Sequence, residues 1–250
     1  EGRIYGLLGE NGVGKTTLLT LLSGLKKSTG GSIDIDGQNP YDRTPSLLSD
    51  MYYLSDEVAP MNMKAIEYAG NYGKFWKGFS LEKFMEIMTE LETDPHQKMD
   101  KMSFGQLKKT YISFALSCCT KYLFMDEPTN GLDIPSKAQF RKAVTKYTRE
   151  DSVILISTHQ VRDLENIIDP IIILDKQDVL LNATIAEISE KLYFDYTTEK
   201  VEDSLYSEMI PGGNIQVYLN QTEEESKVNI EALFNTVLKH KELIKGIFNK

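Results

Sequence analysis

The chain has 250 residues, of which 41% are hydrophobic and 26% are charged, a composition ordinary for a globular protein. Its formal net charge of -9 disfavours a nucleic-acid binder that works through a broad basic surface. We find no signal peptide and no apolar stretch near the roughly 20 residues that a membrane-spanning helix needs. The sequence begins at Glu1 in what reads as a buried strand, and we expect further residues ahead of it.

The N-terminal quarter predicts strands and one helix. Residues 3–8 form a short apolar run followed by glycines, which indicates a buried strand. Residues 15–25 are rich in Leu and Thr and end near a glycine, which is typical of a helix. Residues 32–36 alternate in polarity before an Asp-Gly turn and predict an antiparallel edge strand. Residues 51–54 predict another short strand.

The middle of the chain predicts an inserted group of helices and then a βαβ unit. From about residue 60 to 119, methionines, aromatic residues and charges recur at helical spacing. Near-continuous apolar runs at 121–126 and 152–157 are typical of parallel strands covered on both faces. Residues 135–147 between them predict a helix.

The C-terminal part predicts a hairpin and an extension. Residues 171–174 and 178–181 pair around residues 176–177, and the pattern then becomes acidic and mixed. We therefore expect a main domain over 1–183 and a small extension over 184–250. The expected fold class is α/β: a phosphate-loop core with a mostly parallel sheet, an antiparallel β edge and an inserted α-helical subdomain.

The segment Gly9–Thr16 fits the pattern G-x-x-x-x-G-K-[ST] at every fixed position, between a predicted strand and a predicted helix. Glycines let backbone N–H groups close around a phosphate, and the helix points its positive end at the anion. Lys15 reaches the β- and γ-phosphates of ATP, and the Thr16 hydroxyl binds Mg²⁺. The alternative is a glycine-rich turn with a stray lysine. The expected nucleotide-binding residues are Asn11, Gly12, Val13, Gly14, Lys15, Thr16 and Thr17.

An acidic pair, Asp126-Glu127, follows the apolar strand at 121–125. Carboxylates at the C-terminal edge of a parallel strand lie beside the phosphate loop in this class of sheet. We expect Asp126 to hold Mg²⁺ through water, and Glu127 to polarise the attacking water as general base. The alternative is a cap for the following helix.

Three further segments resemble one family. Residues 103–106 (Ser-Phe-Gly-Gln) resemble the signature L-S-G-G-Q, and residues 126–133 (Asp-Glu-Pro-Thr-Asn-Gly-Leu-Asp) are similar to a Walker B plus D-loop run. Residues 157–159 (Ser-Thr-His) look like an H-loop. In this order and spacing, the chain resembles the ATP-binding cassette (ABC) family over roughly residues 1–183.

The resemblance implies that two cassettes pack head to tail, as a homodimer or a heterodimer, and enclose ATP between a phosphate loop and a signature. Ser103, Gly105 and Gln106 would then contact the γ-phosphate bound to the partner cassette. It also implies that His159 touches the γ-phosphate and acts with Glu127 in catalysis, the alternative being a surface histidine. Asp133 would lie at the dimer seam.

The chain departs from the family pattern at several positions. Phe104 replaces the usual Gly and Met102 the usual Leu in the signature. Asp56 stands where the Q-loop normally has Gln, and we expect it to ligate Mg²⁺, the alternative being that it faces solvent. The family also stacks adenine on an aromatic residue from a strand that would precede Glu1.

The aromatic residues Tyr68, Tyr72, Phe75 and Trp76 recur at spacings of four, three and one. They either form a docking groove for a membrane partner or belong to the core of the helical insert. The function that the resemblance implies is the ATP-hydrolysing subunit of an ABC transporter. It would power a separate transmembrane permease from the cytoplasmic face of the membrane. The alternative is a soluble ABC-type ATPase that has no link to transport.

Overall fold

The computed structural model describes residues 2–176, 178–198, 203–221 and 224–248. The chain forms two compact units. The first unit takes Glu1–Ile4 and Lys15–Ser157, and the second takes Tyr5–Gly14 and Thr158–Lys250. Because this division differs from the predicted one, the domain boundary at residue 183 stays a prediction.

Six strands form a mixed sheet in the order β2-β3-β4-β1-β5-β6. Their bounds are β1 (Arg3–Leu8), β2 (Met51–Leu54), β3 (Tyr122–Asp126), β4 (Val153–Thr158), β5 (Ile171–Asp175) and β6 (Asp178–Ala183). In the first unit β2, β3 and β4 run parallel, with Asp126 beside Ser157 at the carboxyl ends of β3 and β4. In the second unit β1 is parallel to β5, and β6 is antiparallel to β5. The mostly parallel sheet with an antiparallel edge is therefore confirmed. Gln177, in the predicted hairpin turn, lies outside the described residues.

The predicted edge strand at residues 32–36 is wrong. The segment forms only an isolated bridge between Ile35 and Gln38. Asp36 and Gly37 adopt left-handed φ values of 51° and 76°, and the Gly37 N–H donates to Asp34 Oδ1 at 3.0 Å. The alternating pattern therefore belongs to a tight turn, in which an Asp side chain binds the backbone three residues on.

The first unit carries six α-helices among its described residues: α1 (Lys15–Leu22), α2 (Pro45–Leu48), α3 (Ala65–Tyr72), α4 (Leu81–Glu90), α5 (Phe104–Ser117) and α6 (Ile134–Tyr147). The predicted helical character of the insert is confirmed by α3, α4 and α5. Ser80 caps α4, since its side chain accepts from the Lys83 N–H. On the inner face of α4, Phe84, Ile87 and Met88 are fully buried, so this helix is held by its apolar stripe.

The aromatic residues of the insert divide between core and surface. Tyr68 is buried and contacts the rings of Tyr72 and Phe114 at centroid distances of 4.8 and 4.9 Å. Trp76 donates from Nε1 to the backbone oxygen of Met51 at 2.8 Å, which ties the insert to β2. The ring of Phe75, in contrast, is 62% exposed.

The second unit continues beyond β6 into the extension. Its further elements are α7 (Ile185–Lys191), β7 (Leu192–Thr197), β8 (Tyr206–Ile210), β9 (Gly213–Leu219), α8 (Ile230–Lys239) and α9 (Lys241–Phe248). The three strands form an antiparallel sheet in the order β7-β9-β8. Lys241 and Lys245 of α9 make ion pairs with Asp175 and Asp178, which attach the extension to the β5–β6 hairpin. Across the described part of the chain, no helix has the length and apolarity to cross a bilayer.

Candidate functional site

The phosphate loop needs its glycines for two reasons. Gly12 and Gly14 have φ values of 83° and 113°, which side chains with a Cβ rarely adopt. A Cβ at either position would meet nothing within 4 Å, so the loop leaves open space beside its backbone. At Gly9 a Cβ would lie 2.7 Å from Cγ2 of the buried Val13, so the turn has no room for a larger residue. Asn11 is exposed.

The Asp126 carboxylate is the centre of a polar cluster in the first unit. It is 2% exposed and lies at the end of β3. Thr16 donates from Oγ1 to Asp126 Oδ2 at 2.6 Å, and Ser157 donates from Oγ to Oδ1 at 2.5 Å. The Tyr53 hydroxyl lies 3.5 Å from Oδ2. Burial, with the nearby charge of Asp126, raises the pKa of Tyr53 to about 12, so this phenol stays neutral.

Glu127 is held in a strained conformation beside a lysine. Its φ is 44°, a left-handed value that is costly for a residue with a side chain and often marks a functional site. Its N–H donates to Ser157 O at 3.2 Å and to Ser157 Oγ at 3.1 Å. Its Oε1 lies 3.6 Å from Lys15 Nζ. Lys15 is 6% exposed, so the pair is largely shielded from water.

These residues suit a magnesium-bound nucleotide. A hydroxyl and a carboxylate in contact, Thr16 and Asp126, are the sparse oxygen set that Mg²⁺ takes when phosphate and water supply its other ligands. The open glycine loop has the shape for a phosphate, and the buried Lys15 ammonium has the charge. Within the described residues no group of three or more His, Cys, Asp or Glu side chains gathers into a metal site, so a metal cage built wholly from such side chains is absent there.

The signature residues form a separate group at the start of α5. Ser103 is the N-cap: its Oγ accepts from the Gln106 N–H at 3.2 Å, and Gln106 Oε1 accepts from the Ser103 N–H at 2.9 Å. This reciprocal capping box leaves the positive end of a 14-residue helix at the surface. Phe104 is half exposed and lies on the D-loop, since a Cβ at Gly131 would come 2.4 Å from its ring. The phenylalanine therefore contacts the D-loop of its own chain beside Gly105.

Asp133 caps the next helix. Its Oδ1 accepts from the Ser136 N–H at 3.0 Å, and the hydrogen bonds from Ser136 lower the pKa of Asp133. This contact accounts for an aspartate before α6. Its place at a dimer seam stays a prediction.

Asp56, the predicted metal ligand in the Q-loop position, already has an internal partner. Lys108 Nζ donates to Asp56 Oδ1 at 3.0 Å and to its backbone oxygen at 2.7 Å. Asn130 Nδ2 lies 3.2 and 3.3 Å from the two carboxylate oxygens. The alternative of a side chain turned simply to solvent does not hold, and the metal role stays a prediction.

Two further predicted residues, His159 and Thr17, are exposed. His159 is exposed just beyond β4, in the second unit, and its Nε2 lies 3.4 Å from Gln160 Nε2. Thr17 is exposed in the first turn of α1. The structure thus brings Lys15, Thr16, Asp126 and Glu127 together, while the roles of His159 and Thr17 stay predictions.

Sequence reasoning missed four polar residues of the first unit: Tyr53, Lys108, Asn130 and Ser157. For Lys108 a signal was present. It lies four residues before Ile112 and seven before Ala115, both fully or almost fully buried, so helical spacing puts a charge on the buried face of α5. For Ser157 the signal was a polar residue next to the end of an apolar strand.

A groove of about 570 Å³ opens between the insert and the segment around α2 in the first unit. Two large exposed side chains, Leu25 and Phe75, line it together with Trp76 of the insert. One cation, Arg43, lies in its wall and donates to Gly24 O at 3.1 Å. The groove is therefore apolar, with a single positive group.

Comparison with known proteins agrees with this geometry. The family model described as ABC transporter matches residues 1–130. YdbJ of Bacillus subtilis, an uncharacterised ABC transporter ATP-binding protein, is 30% identical over 204 residues, 80% of this chain and 64% of YdbJ. The bacitracin transport ATP-binding protein BcrA of Bacillus licheniformis is 30% identical over 185 residues, 72% of this chain and 60% of BcrA.

A solved structure shares the fold. It is the dimeric structure of a post-hydrolysis state of an ATP-binding cassette bound to ADP and Pi, 22% identical, with a TM-score of 0.64 over 74% of this chain and 86% of the other. The chain spans less than two thirds of the length of YdbJ and of BcrA. The family model covers more than half of the chain, and its range includes the phosphate loop, the signature and the acidic pair. The chain belongs to the ABC transporter family.

Proposed function

We propose that this chain binds Mg-ATP and hydrolyses it as the energising subunit of an ABC transporter. The observation that carries the proposal is the contact of Thr16 with Asp126, next to the pair formed by Lys15 and Glu127. These four residues come from sequence segments 110 residues apart. The fold brings together a hydroxyl, two carboxylates and a cation, the groups that phosphoryl transfer to water uses.

Each residue of the cluster has its own role in this proposal. Thr16 and Asp126 would hold Mg²⁺, which when bound neutralises charge on the phosphates. Ser157 keeps Asp126 oriented through its 2.5 Å hydrogen bond. Lys15 would turn to the phosphates, and this releases Glu127 from its ion pair so that the carboxylate can accept a proton from water.

A second cassette would complete the site. Support comes from the N-terminus of α5, where Ser103 is exposed and Gly105 and Gln106 are half-buried on the positive end of a helix, a favourable place for a phosphate. A structurally similar cassette has been solved as a dimer with ADP and Pi. On this proposal the signature faces the nucleotide of the partner cassette, and Asp133 and His159 act at the same closed interface.

The transmembrane partner would dock in the groove next to Phe75. An amphipathic helix fits an apolar groove, and the exposed Leu25 and Phe75 side chains supply apolar contact area. Arg43 favours an acidic or carbonyl-rich end on that helix. Docking there would keep the chain on the inner face of the cell membrane through its permease.

The catalytic proposal is tested by variants of the purified chain. Glu127→Gln should retain ATP binding, lose hydrolysis and accumulate an ATP-bound dimer, measured by light scattering. Lys15→Ala should lose nucleotide binding and stay monomeric with ATP. The control Glu57→Gln makes the same chemical change at an exposed carboxylate and should hydrolyse at the wild-type rate. Wild-type turnover by Glu127→Gln contradicts the assignment of the base.

Docking is tested in the reconstituted complex with the permease. Phe75→Ser should remove stimulation of hydrolysis by the permease while the basal rate is unchanged. Leu81→Ser is the matched control, because Leu81 is also an exposed apolar residue but does not line the groove. Equal stimulation of Phe75→Ser and wild type rules out docking at this groove.

A further inference from the structure

Lys108 is a buried cation whose charge is compensated inside the protein. The side chain has 0% exposure, and removing an ammonium from water is costly unless it is paired and hydrogen-bonded. Its Nζ donates to both Asp56 Oδ1 and Asp56 O, at 3.0 and 2.7 Å. Burial lowers the pKa of Lys108, and the hydrogen bond to Asp56 opposes this change.

Asp56 joins three segments of the first unit through these contacts. It follows β2 itself, Lys108 belongs to the signature helix α5, and Asn130 belongs to the D-loop. Asn130 Nδ2 lies within 3.3 Å of both carboxylate oxygens, and its backbone N–H donates to Glu127 O at 3.1 Å. One carboxylate therefore links the segment after β2 to the signature helix and, through one residue, to Glu127.

The charges of Asp56 and Lys108 bear on the candidate site because both residues lie near its acidic pair. An aspartate in place of a neutral glutamine adds a negative charge next to an acidic pair. The negative charges of Asp126 and Glu127 also act on Lys108 and favour its charged form, so the ammonium lies within their electrostatic reach. Asp56 and Lys108 together carry no net charge, as a glutamine would.

We propose that Lys108 is a positioning residue for ATP hydrolysis, which cancels the charge of Asp56 and holds it in contact with Asn130 and the D-loop. This inference rests on the proposed ATPase function. Lys108 acts through Asp56 and touches neither the nucleotide nor the metal. Asp56 then serves as the anchor of this network, and its charge is not available in full to Mg²⁺.

A double-mutant cycle tests the inference: wild type, Lys108→Gln, Asp56→Gln and the double variant. Each single variant should lower kcat about tenfold while KM for ATP changes less than about threefold, and the double variant should recover to within about threefold of wild type. Lys108→Gln should also lower the Mg²⁺ concentration for half-maximal rate by about threefold, because Asp56 is left uncompensated.

The nucleotide-free protein supplies a second readout. Urea unfolding should show lower midpoints for both single variants and a recovered midpoint for the double variant. If Asp56→Gln does not fold, Asp56→Asn takes its place, because its amide oxygen still accepts from Lys108. Lys109→Gln is the control: it removes the same charge one residue on, where the partner is the neutral Gln139 at 3.3 Å.

Two results overturn the inference. One is multiplicative loss of kcat in the double variant together with additive shifts of the unfolding midpoint. The other is a wild-type kcat for Lys108→Gln. If the wild-type protein does not hydrolyse ATP, the proposed function itself is overturned. If it does, and the effects of the two substitutions on kcat and on the unfolding midpoint are additive, only the role of Lys108 is refuted.

Discussion

Replacing Thr16 by valine should destabilise the nucleotide-free protein, because a buried carboxylate loses one of its donors. Thr16 Oγ1 donates to Asp126 Oδ2 at 2.6 Å, and Asp126 is almost fully buried. Valine has the shape of threonine without the hydroxyl, so the change removes a hydrogen bond and leaves the packing nearly intact. The other oxygen retains its 2.5 Å bond from Ser157.

The expected loss of stability follows from the hydrogen bond that Thr16→Val removes. A hydrogen bond to a charged group contributes about 1.5–3 kcal/mol to stability, and because Thr16 is exposed the lower value, about 1.5 kcal/mol, applies. For a chain of this size this corresponds to a fall in Tm of about 3–6 °C. Thr16→Ser keeps the donor and should stay within about 0.5 kcal/mol of wild type.

Urea denaturation without nucleotide measures the change, and Thr17→Val is the matched control. It makes the same substitution one residue further along α1, where the hydroxyl is not a partner of Asp126. A Thr16→Val protein as stable as Thr17→Val would refute the reasoning, since it would mean that the Asp126 carboxylate is satisfied without Thr16. In the presence of Mg-ATP, Thr16→Val should also lose hydrolysis by about two orders of magnitude, because it lacks a metal ligand.

Three further predictions concern backbone and surface. Gly131→Ala should lower the free energy of unfolding by about 1–2 kcal/mol because of its left-handed φ of 77°. A further steric cost, from the Phe104 ring, should disappear in a Phe104→Gly background. Equal losses in both backgrounds, measured by urea unfolding, contradict the contact between Phe104 and Gly131. Gly9→Ala should abolish ATP binding in calorimetry, because its Cβ would lie 2.9 Å from the backbone oxygen of Leu174; wild-type affinity contradicts this. Arg162→Ala should change stability by less than about 0.5 kcal/mol, since its ion pair with Glu231 is exposed; a larger loss in the same unfolding assay means that the pair orders its surroundings.

Contiguous motifs were predictable from the sequence because their chemistry is local. A glycine-rich turn between a strand and a helix requires particular residue types within eight positions, and Gly12 and Gly14 do adopt left-handed backbone. The acidic pair was placed correctly because carboxyl ends of parallel strands share one edge of a sheet. Apolar runs likewise predicted β3 and β4, since strands buried on both faces leave little room for polar residues.

Other features needed the fold. The pattern of residues 32–36 was read as a strand, but a strand exists only with a partner, and here the chain turns back on itself through Asp36. From the sequence, Asp56 was interpreted as a metal ligand or a solvated group. The fold brings Lys108 to it from 52 residues away, a contact that no local pattern predicted.

The sequence alone thus indicated the family and pointed to Lys15, Thr16, Asp126 and Glu127 as candidate site residues, because each motif requires particular residue types in a short segment. Tertiary structure decided which remote residues meet: Phe104 lies on the D-loop, and Asp56 has Lys108 as its counter-ion. Charge pairing depends on distances between segments remote in the chain, and no local pattern encodes those distances.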